Sequence, residues 1–201
     1  VRHDRGILAA DESTGASTKR FDTIAVESTE PNRRAYRNLL FTTEGMEEFI
    51  GGVILFDETI GQRADYGTPF PELLAARGVV PGIKVDTGAH ALAGAPGETI
   101  TEGLDGLRKR LAEYHDLGAR FAKWRATLSV GDRLPSRYCV RVNAQALARY
   151  AALCQEAGIV PIVEPEVLMD TDHSIDACYD ATARTLQALY AELAAQRVDL
   201  E

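Results

Sequence analysis

The segment ARFAKWRATL, residues 119–128, mixes interior and charged residues in a pattern that indicates a β-strand. Phe121 and Trp124 are typical of a protein core, whereas Lys123 and Arg125 are cations two positions apart. In a strand, residues two apart point to the same side, so both cations would share one face. Because an unpaired charge is costly to bury, we expect the cations to be either exposed or matched by anionic groups.

Four further apolar runs have the same character as this segment. They are GILAADE (6–12), GGVILFDE (51–58), GIKVD (82–86) and VPIVEPEVL (160–168). Their interiors are rich in Val, Ile and Leu, as in strands that are covered on both faces. Amphipathic helical patterns separate the five runs, and this alternation predicts consecutive βαβ units with a parallel sheet.

The helical patterns carry start signals and apolar stripes. Thr29, Asn143 and Ser174 are the predicted N-caps of three helices. The predicted stripes are Tyr36, Leu39 and Leu40; Leu104, Leu107, Leu111 and Tyr114; Leu147, Tyr150 and Cys154; and Ile175, Cys178, Thr182, Leu186, Leu189 and Leu193.

The composition is that of an ordinary globular protein. The chain has 201 residues, 45% hydrophobic and 26% charged, which suffices for one domain or two small ones. A formal net charge of −8 argues against a general nucleic-acid-binding protein, because no overall positive field would attract phosphates. No apolar run approaches the roughly 20 residues of a membrane span, and the first residues lack the features of a signal peptide.

The cysteines and histidines indicate a reducing compartment and no metal site. Cys139, Cys154 and Cys178 are odd in number and lack a C-x-x-C spacing, so we expect free thiols and a cytoplasmic location. Cys154 and Cys178 lie on apolar stripes and are predicted to be core residues. The four histidines are isolated, and no pair has the spacing of metal ligands.

Charged residues lie toward the C-terminal end of every apolar run. They are Asp11; Asp57 and Glu58; Lys84 and Asp86; Lys123 and Arg125; and Glu164 and Glu166. In parallel α/β proteins, ligands bind at the carboxyl ends of the strands. These side chains either form a charged ligand pocket, the interpretation that we favour, or make ion pairs between neighbouring strands.

A pocket with these groups is suited to sugar-phosphate chemistry. Lys84, Lys123 and Arg125 would hold phosphates or polarise oxygens, while the carboxylates would move protons. Crowded cations lower the pKa of a lysine and so favour a free amine that attacks carbonyl carbon. From the residues alone, Lys123 is therefore the predicted Schiff-base nucleophile.

The motifs GILAADESTG, GGVILFDET, GIKVDTG, FAKWR and GIVPIVEPE resemble, in order and spacing, those of the class I fructose-bisphosphate aldolases. This resemblance spans essentially the whole chain. It implies a (β/α)8 TIM barrel in the α/β class, of which residues 1–201 supply about the first five βα units as a single domain incomplete at both ends. It also implies a lyase that cleaves fructose 1,6-bisphosphate to dihydroxyacetone phosphate and glyceraldehyde 3-phosphate through a lysine Schiff base, without a metal or other cofactor.

The resemblance implies a role for nine residues. The implied catalytic residues are Asp11, beside the cleaved bond; Lys123, near the carbinolamine; Glu164, the general acid and base; and Glu166, its partner. The implied substrate-binding residues are Ser13 and Lys84, at the distal phosphate; Arg125, near the substrate hydroxyls; and Arg20 and Arg33, which also fit solvated helix charges. By this resemblance Lys123 is an assisting residue, and the Schiff-base lysine belongs to a sixth strand expected to begin where the chain stops, at Glu201.

One position departs from the family pattern, since Ala16 stands where many relatives have serine, and Ser17 follows it. The resemblance further implies a cytoplasmic homotetramer that binds a phosphorylated sugar, with neither nucleic acid nor membrane as a partner. Two alternatives stay open: a non-catalytic binding or assembly module that retains part of a phosphosugar pocket, and another Schiff-base aldolase acting on different sugar phosphates.

Overall fold

A computed structural model describes residues 4–170 and 172–200 of the chain. The strands in these ranges are β1 (Gly6–Ala10), β2 (Ile50–Leu55), β3 (Val80–Lys84), β4 (Gly88–Ala91), β5 (Thr99–Glu102), β6 (Phe121–Leu128) and β7 (Val160–Val167). The helices are α1 (Thr14–Asp22), α2 (Glu30–Thr42), α3 (Met46–Phe49), α4 (Asp57–Ile60), α5 (Phe70–Ala76), α6 (Leu107–Asp116), α7 (Arg137–Glu156) and α8 (Ile175–Ala195).

The five predicted runs are the strands of one sheet, in the order β1-β2-β3-β6-β7. β1 and β2 pair in parallel with Ala10 opposite Leu55, and β2 and β3 pair in parallel with Leu55 opposite Ile83. The remaining two strands, β4 and β5, form a separate antiparallel pair. The prediction of a parallel sheet built from βα units is confirmed.

The chain contacts divide it into two compact units. The first comprises residues 4–84 and 112–122 of the described chain, and the second comprises the described residues of 85–111 and 123–200. Strand β6 therefore begins in the first unit and continues in the second.

The core of the first unit lies between its helices and strands β2 and β3. Phe41 of α2 and Phe70 of α5 are fully buried and meet edge to face, with ring centroids 5.1 Å apart. The prediction of Leu39 as a core residue of α2 is wrong, because its side chain is 67% exposed. The helix instead buries Arg37 and Phe41, which lie four residues apart and so share one side.

A glycine sets the close approach of β3 and the start of β6 in the first unit. A Cβ atom at Gly82 would lie 2.3 Å from the ring of Phe121, far inside van der Waals contact. The main-chain N–H of Arg120 donates a 2.9 Å hydrogen bond to the carbonyl of Pro81 beside this contact. Any larger residue at position 82 would have to displace a buried ring.

The core of the second unit is formed largely by the inner face of β6 and by α7. Trp124, Ala126 and Leu128 alternate along β6 and are buried, and for Trp124 this confirms the prediction from the sequence. The ring of Trp124 lies 5.4 Å from that of Tyr150 on α7. The predicted α7 stripe of Leu147, Tyr150 and Cys154 is confirmed as buried.

The prediction that Asn143 caps a helix is wrong. Helix α7 begins earlier, at Arg137, and its N-cap is Ser136, whose hydroxyl accepts a 3.1 Å hydrogen bond from the N–H of Cys139. Asn143 lies inside the helix and is buried, where its amide bonds to strand β5. The side-chain amide of Asn143 thus makes a tertiary contact with β5 and does not cap the helix.

Helix α8 begins at the predicted cap, Ser174, and of its predicted stripe Leu189 and Leu193 are confirmed as buried. The buried residues of α8 follow one another at intervals of four positions and are Ala181, Thr185, Leu189 and Leu193. Ile175 is 84% exposed and Leu186 is 39% exposed, so these two predictions are wrong. Cys178 is half-buried rather than a core residue. Among the described residues, no helix is long and apolar enough to cross a membrane.

Candidate functional site

In the second unit, two ion pairs join the neighbouring strands β6 and β7 at the predicted positions. The Nζ of Lys123 lies 3.3 Å from Oε2 of Glu164. The guanidinium of Arg125 donates its Nε–H to the carboxylate of Glu166. Since Lys123 and Arg125 alternate with buried Trp124, both cations lie on one face of β6, as the sequence predicts.

A third carboxylate, Asp86, lies beside these pairs immediately after strand β3. Its Oδ2 accepts a 3.3 Å hydrogen bond from the main-chain N–H of Arg125, and its Oδ1 accepts one of 3.2 Å from Gly88. Asp86 is buried, with 8% of its surface exposed. The second unit therefore concentrates three carboxylates and two cations around the face of β6 that carries Lys123 and Arg125.

The pairing of Arg125 with Glu166 shifts the proton affinity of both groups. The hydrogen bond from Arg125 holds the pKa of Glu166 below its usual value, outweighing a smaller opposing effect of burial. The same hydrogen bond raises the pKa of Arg125. Glu166 is accordingly a stable carboxylate at neutral pH.

The two pairs differ in how well they are shielded from solvent. The side chain of Lys123 is only 14% exposed, whereas those of Arg125 and Glu166 are 43% and 38% exposed. The alternative interpretation of ion pairs between strands thus describes these contacts correctly. It does not exclude a ligand, because the more open pair presents charge to solvent and surface ion pairs add little stability.

The first unit holds the other five predicted residues. Asp11 is buried just after the end of β1, and Ser13 is the N-cap of α1, where its hydroxyl accepts a 3.3 Å hydrogen bond from the N–H of Ala16. Lys84 is the last residue of β3 and is half-buried. Ser17, which follows Ala16, is buried at 3% exposure.

Arg20 on α1 belongs to a chain of charges that the sequence did not predict. Its NH1 lies 2.9 Å from Oε1 of Glu12 and donates a 2.8 Å hydrogen bond to the hydroxyl of Tyr36. Glu12 in turn accepts from Arg37 on α2, which is 2% exposed. Burial alone would raise the pKa of Glu12, but the hydrogen bond and charge of Arg37 outweigh it and hold the pKa below its usual value.

Arg33 is also paired rather than solvated. Its Nε and NH2 donate hydrogen bonds of 2.9 and 2.6 Å to the two carboxylate oxygens of Glu58, a bidentate arrangement. The side chain of Arg33 is 13% exposed. The interpretation of Arg33 as a solvated helix charge is therefore not supported.

Sequence reasoning missed Glu12 and Arg37, and it named Glu58 as a strand-end charge without its partner Arg33. Two signals could have found them. Arg33 and Arg37 lie four residues apart and hence on one side of α2, and Glu12 directly follows the predicted Asp11. In the described part of the chain, no three His, Cys, Asp or Glu side chains are grouped as metal ligands would be.

Comparison with known proteins identifies the family of the chain. The family model of class-I fructose-bisphosphate aldolase, a glycolytic enzyme family, matches residues 1–201. The chain belongs to this family. The resemblance that its motifs show is thereby confirmed.

Over the aligned residues, aldolases from distant organisms are more than half identical to this chain. A probable fructose-bisphosphate aldolase class 1 of Xanthomonas campestris pv. campestris is 58% identical over 201 residues, which are all of this chain and 60% of that protein. The cytosolic fructose-bisphosphate aldolase 6 of Arabidopsis thaliana is 55% identical over 197 residues, which are 98% of this chain and 55% of that protein. The chain thus spans little more than half the length of these aldolases.

A solved aldolase confirms the predicted fold class. The fructose-bisphosphate aldolase of Plasmodium falciparum, crystallised with TRAP and a small-molecule inhibitor, is 46% identical and superposes with a TM-score of 0.93. The superposition covers 96% of this chain and 56% of that one. The α/β fold with the first five βα units of a TIM barrel, predicted from the sequence, agrees with this match.

Proposed function

We propose that the protein containing this chain is a class I fructose-bisphosphate aldolase, a lyase that works through a lysine Schiff base. In this proposal it cleaves fructose 1,6-bisphosphate to dihydroxyacetone phosphate and glyceraldehyde 3-phosphate. The observation that supports it most is the pairing of Lys123 with Glu164 and of Arg125 with Glu166 in a chain of this family. Residues 1–201 are proposed to form part of a single barrel domain.

In the second unit, the proposed proton-transfer group is Glu164. The Nζ of Lys123 lies 3.3 Å from its Oε2, so a positively charged group stands beside the carboxylate that would move the proton. Glu166 is held by Arg125 and assists as a fixed negative charge, which stabilises cationic intermediates. Arg125 remains partly exposed and would bind substrate hydroxyls.

In the first unit, the proposed roles divide between a carboxylate and phosphate-binding groups. Asp11, buried at the end of β1, would act beside the bond that is cleaved. Ser13 and Lys84 would bind the distal phosphate, and Arg20 and Arg33 would bind other parts of the substrate. Both arginines are oriented by carboxylates, Glu12 and Glu58, which fits them for recognition of a fixed anion.

Borohydride trapping tests this proposal directly. The full-length protein is incubated with fructose 1,6-bisphosphate, reduced with borohydride and analysed by intact mass, and we expect a covalent sugar-phosphate adduct that is absent without substrate. Glu164→Gln is expected to lower kcat by about a hundredfold, whereas the exposed Glu44→Gln should match the wild type. A full-length protein with neither adduct nor cleavage would refute the proposal.

The same experiment on residues 1–201 tests the assignment of the nucleophile. We expect no adduct and no cleavage, because the resemblance places the Schiff-base lysine beyond Glu201. Trapping of Lys84 or Lys123 in that segment would show that one of them serves as the amine. Cleavage rates for other sugar phosphates would separate this activity from that of a related Schiff-base aldolase.

The proposal includes a cytoplasmic homotetramer. Relatives named cytosolic or cytoplasmic isozymes in Arabidopsis thaliana and Spinacia oleracea support the location. Light scattering coupled to gel filtration of the full-length protein would test the assembly.

A further inference from the structure

Glu12 occupies a central position in the first unit, between two predicted site residues. Asp11 precedes it and Ser13 follows it, so any motion of Glu12 would move both. Its side chain is 18% exposed and uses separate oxygens for two arginines, Oε1 for Arg20 and Oε2 for Arg37. One carboxylate thus joins a buried cation to one that faces solvent.

Arg37 fixes the main chain at this point as well as the carboxylate. Its NH1 donates to the side chain of Glu12, and its NH2 donates a 3.1 Å hydrogen bond to the carbonyl of Glu12. Its guanidinium lies 5.2 Å from the ring centroid of Tyr36, whose hydroxyl accepts from Arg20. Being 2% exposed, Arg37 cannot itself reach a ligand in solvent.

Arg20 would be a poor ligand group without these partners. Its side chain is 57% exposed, and a long exposed arginine loses rotamer freedom when it binds an anion. Glu12 and Tyr36 restrict this freedom before a ligand arrives. Pre-organisation of this kind lowers KM without taking part in the chemical step.

We infer that Glu12 and Arg37 are positioning residues that act through Arg20: buried Arg37 fixes Glu12, and Glu12 fixes Arg20 for substrate binding. This inference rests on the proposed function. It assigns a role to two residues that make no contact of their own with substrate. This role makes a specific prediction: substitutions at Glu12 or Arg37 change KM only when Arg20 is present.

A double-mutant cycle on the full-length protein tests the inference. In Glu12→Gln, one carboxylate oxygen becomes an NH2 group that cannot accept, so one of the two arginines loses its partner. We expect KM for fructose 1,6-bisphosphate to rise about tenfold with kcat unchanged within about twofold. In the Arg20→Gln background, the same change at Glu12 should have no further effect on KM.

Two further variants separate positioning from folding. Arg37→Lys keeps the charge but loses the planar guanidinium that donates to two acceptors. We expect this variant to fold and its KM to rise about threefold. Arg34 lies on the same helix and forms an ion pair with Asp65, with NH2 and Oδ1 2.8 Å apart. Arg34→Gln breaks this pair and should leave kcat and KM unchanged. Calorimetric melting of each variant reports its folded fraction.

The outcomes distinguish this inference from the proposed function. A KM effect that disappears when Arg20 is replaced supports positioning. An effect that persists without Arg20, or a fall in kcat at constant KM, overturns it while leaving the aldolase activity in place. A wild-type protein that cleaves no fructose 1,6-bisphosphate overturns the proposed function and this inference with it.

Discussion

Single side chains in this molecule balance charge where burial would otherwise be costly. Arg37 is almost fully buried, yet its guanidinium meets two oxygens of Glu12 and so retains the hydrogen bonds that it would make with water. Asp86 is buried as well and accepts from two main-chain N–H groups. Arg37 and Asp86 are therefore each held by two hydrogen bonds, and removing a partner would leave a buried charge that pays the full desolvation penalty.

The pH dependence of stability should report the ion pair between Glu12 and Arg37. We expect Glu12→Gln to lower the free energy of unfolding by about 2 kcal/mol at neutral pH. Because the pKa of Glu12 is lower in the folded protein than in the unfolded chain, this stabilisation is present above the unfolded-state pKa and is lost as the pH falls through the folded-state pKa.

Urea unfolding at two pH values measures this effect. The midpoints of wild type and Glu12→Gln should differ at about pH 7 and converge at an acid pH below the folded-state pKa of Glu12. An equal difference at both pH values would contradict the ion pair as the source of the stabilisation.

Local sequence predicted some of these charges and not others. Lys123 and Arg125 were found because they alternate with core residues in one strand, and their partners Glu164 and Glu166 because they end the next run. Arg37 was missed because its partner lies 25 positions away and nothing in α2 distinguishes a buried arginine from an exposed one. Long-range pairing of this kind depends on packing that a single sequence does not contain.

Among helices and strands, the most informative element is the hairpin of β4 and β5. Its strands are four residues each, GAHA and TITE, and they hold a single large apolar residue, Ile100, which gives no apolar alternation, so the sequence did not predict them. Asn143 on α7 holds the hairpin: its amide donates 2.9 Å to the carbonyl of Thr99 and accepts 3.3 Å from the N–H of Thr101. The five strands of the main sheet were predictable because their apolar interiors are dense.

Removing the side chain of Asn143 should loosen this hairpin. We expect Asn143→Ala to lower the free energy of unfolding by about 2 to 3 kcal/mol, since it removes the side-chain acceptor of the N–H of buried Thr101 and leaves a cavity in α7. Gln145→Ala on the exposed side of the same helix should change it by less than about 0.5 kcal/mol.

Hydrogen exchange locates the effect of this substitution. The amide of Thr101 should exchange faster in Asn143→Ala than in the control. Equal protection in both variants would show that the hairpin does not depend on Asn143.

Considered as a whole, the chain leaves apolar surface exposed on its last strand and helix. Ile175, Tyr179, Leu186 and Tyr190 lie on one side of α8, and all are exposed. No residue of β7 is buried, and Val160 is 65% exposed. Surfaces of this kind mark places where another part of a protein packs.

Residues 1–201 produced alone should therefore associate and bind an apolar dye. Ile175→Lys with Tyr179→Lys is expected to reduce dye fluorescence by about half, because it removes much of the α8 stripe, whereas Ala183→Lys on the exposed surface should not. A monomeric segment without dye binding would contradict this interpretation.

The fold class was predictable at this level because five motifs in register resemble one family. The two incorrectly predicted α8 residues, Ile175 and Leu186, show the limit of periodicity. They are apolar at the right spacing, but they belong to an exposed side of the helix, and a helical pattern cannot tell one apolar side from another. Which apolar side is buried depends on the elements that the helix packs against.

The burial of Trp124 gives the segment an internal optical probe. It is the one tryptophan among residues 1–201, it is fully enclosed, and it lies in the second unit beside Tyr150. Its ultraviolet emission consequently follows the loss of structure in that unit and carries no signal from the first. Circular dichroism records the helices of both units, so comparing the two denaturation curves would reveal whether they melt in one step or in two.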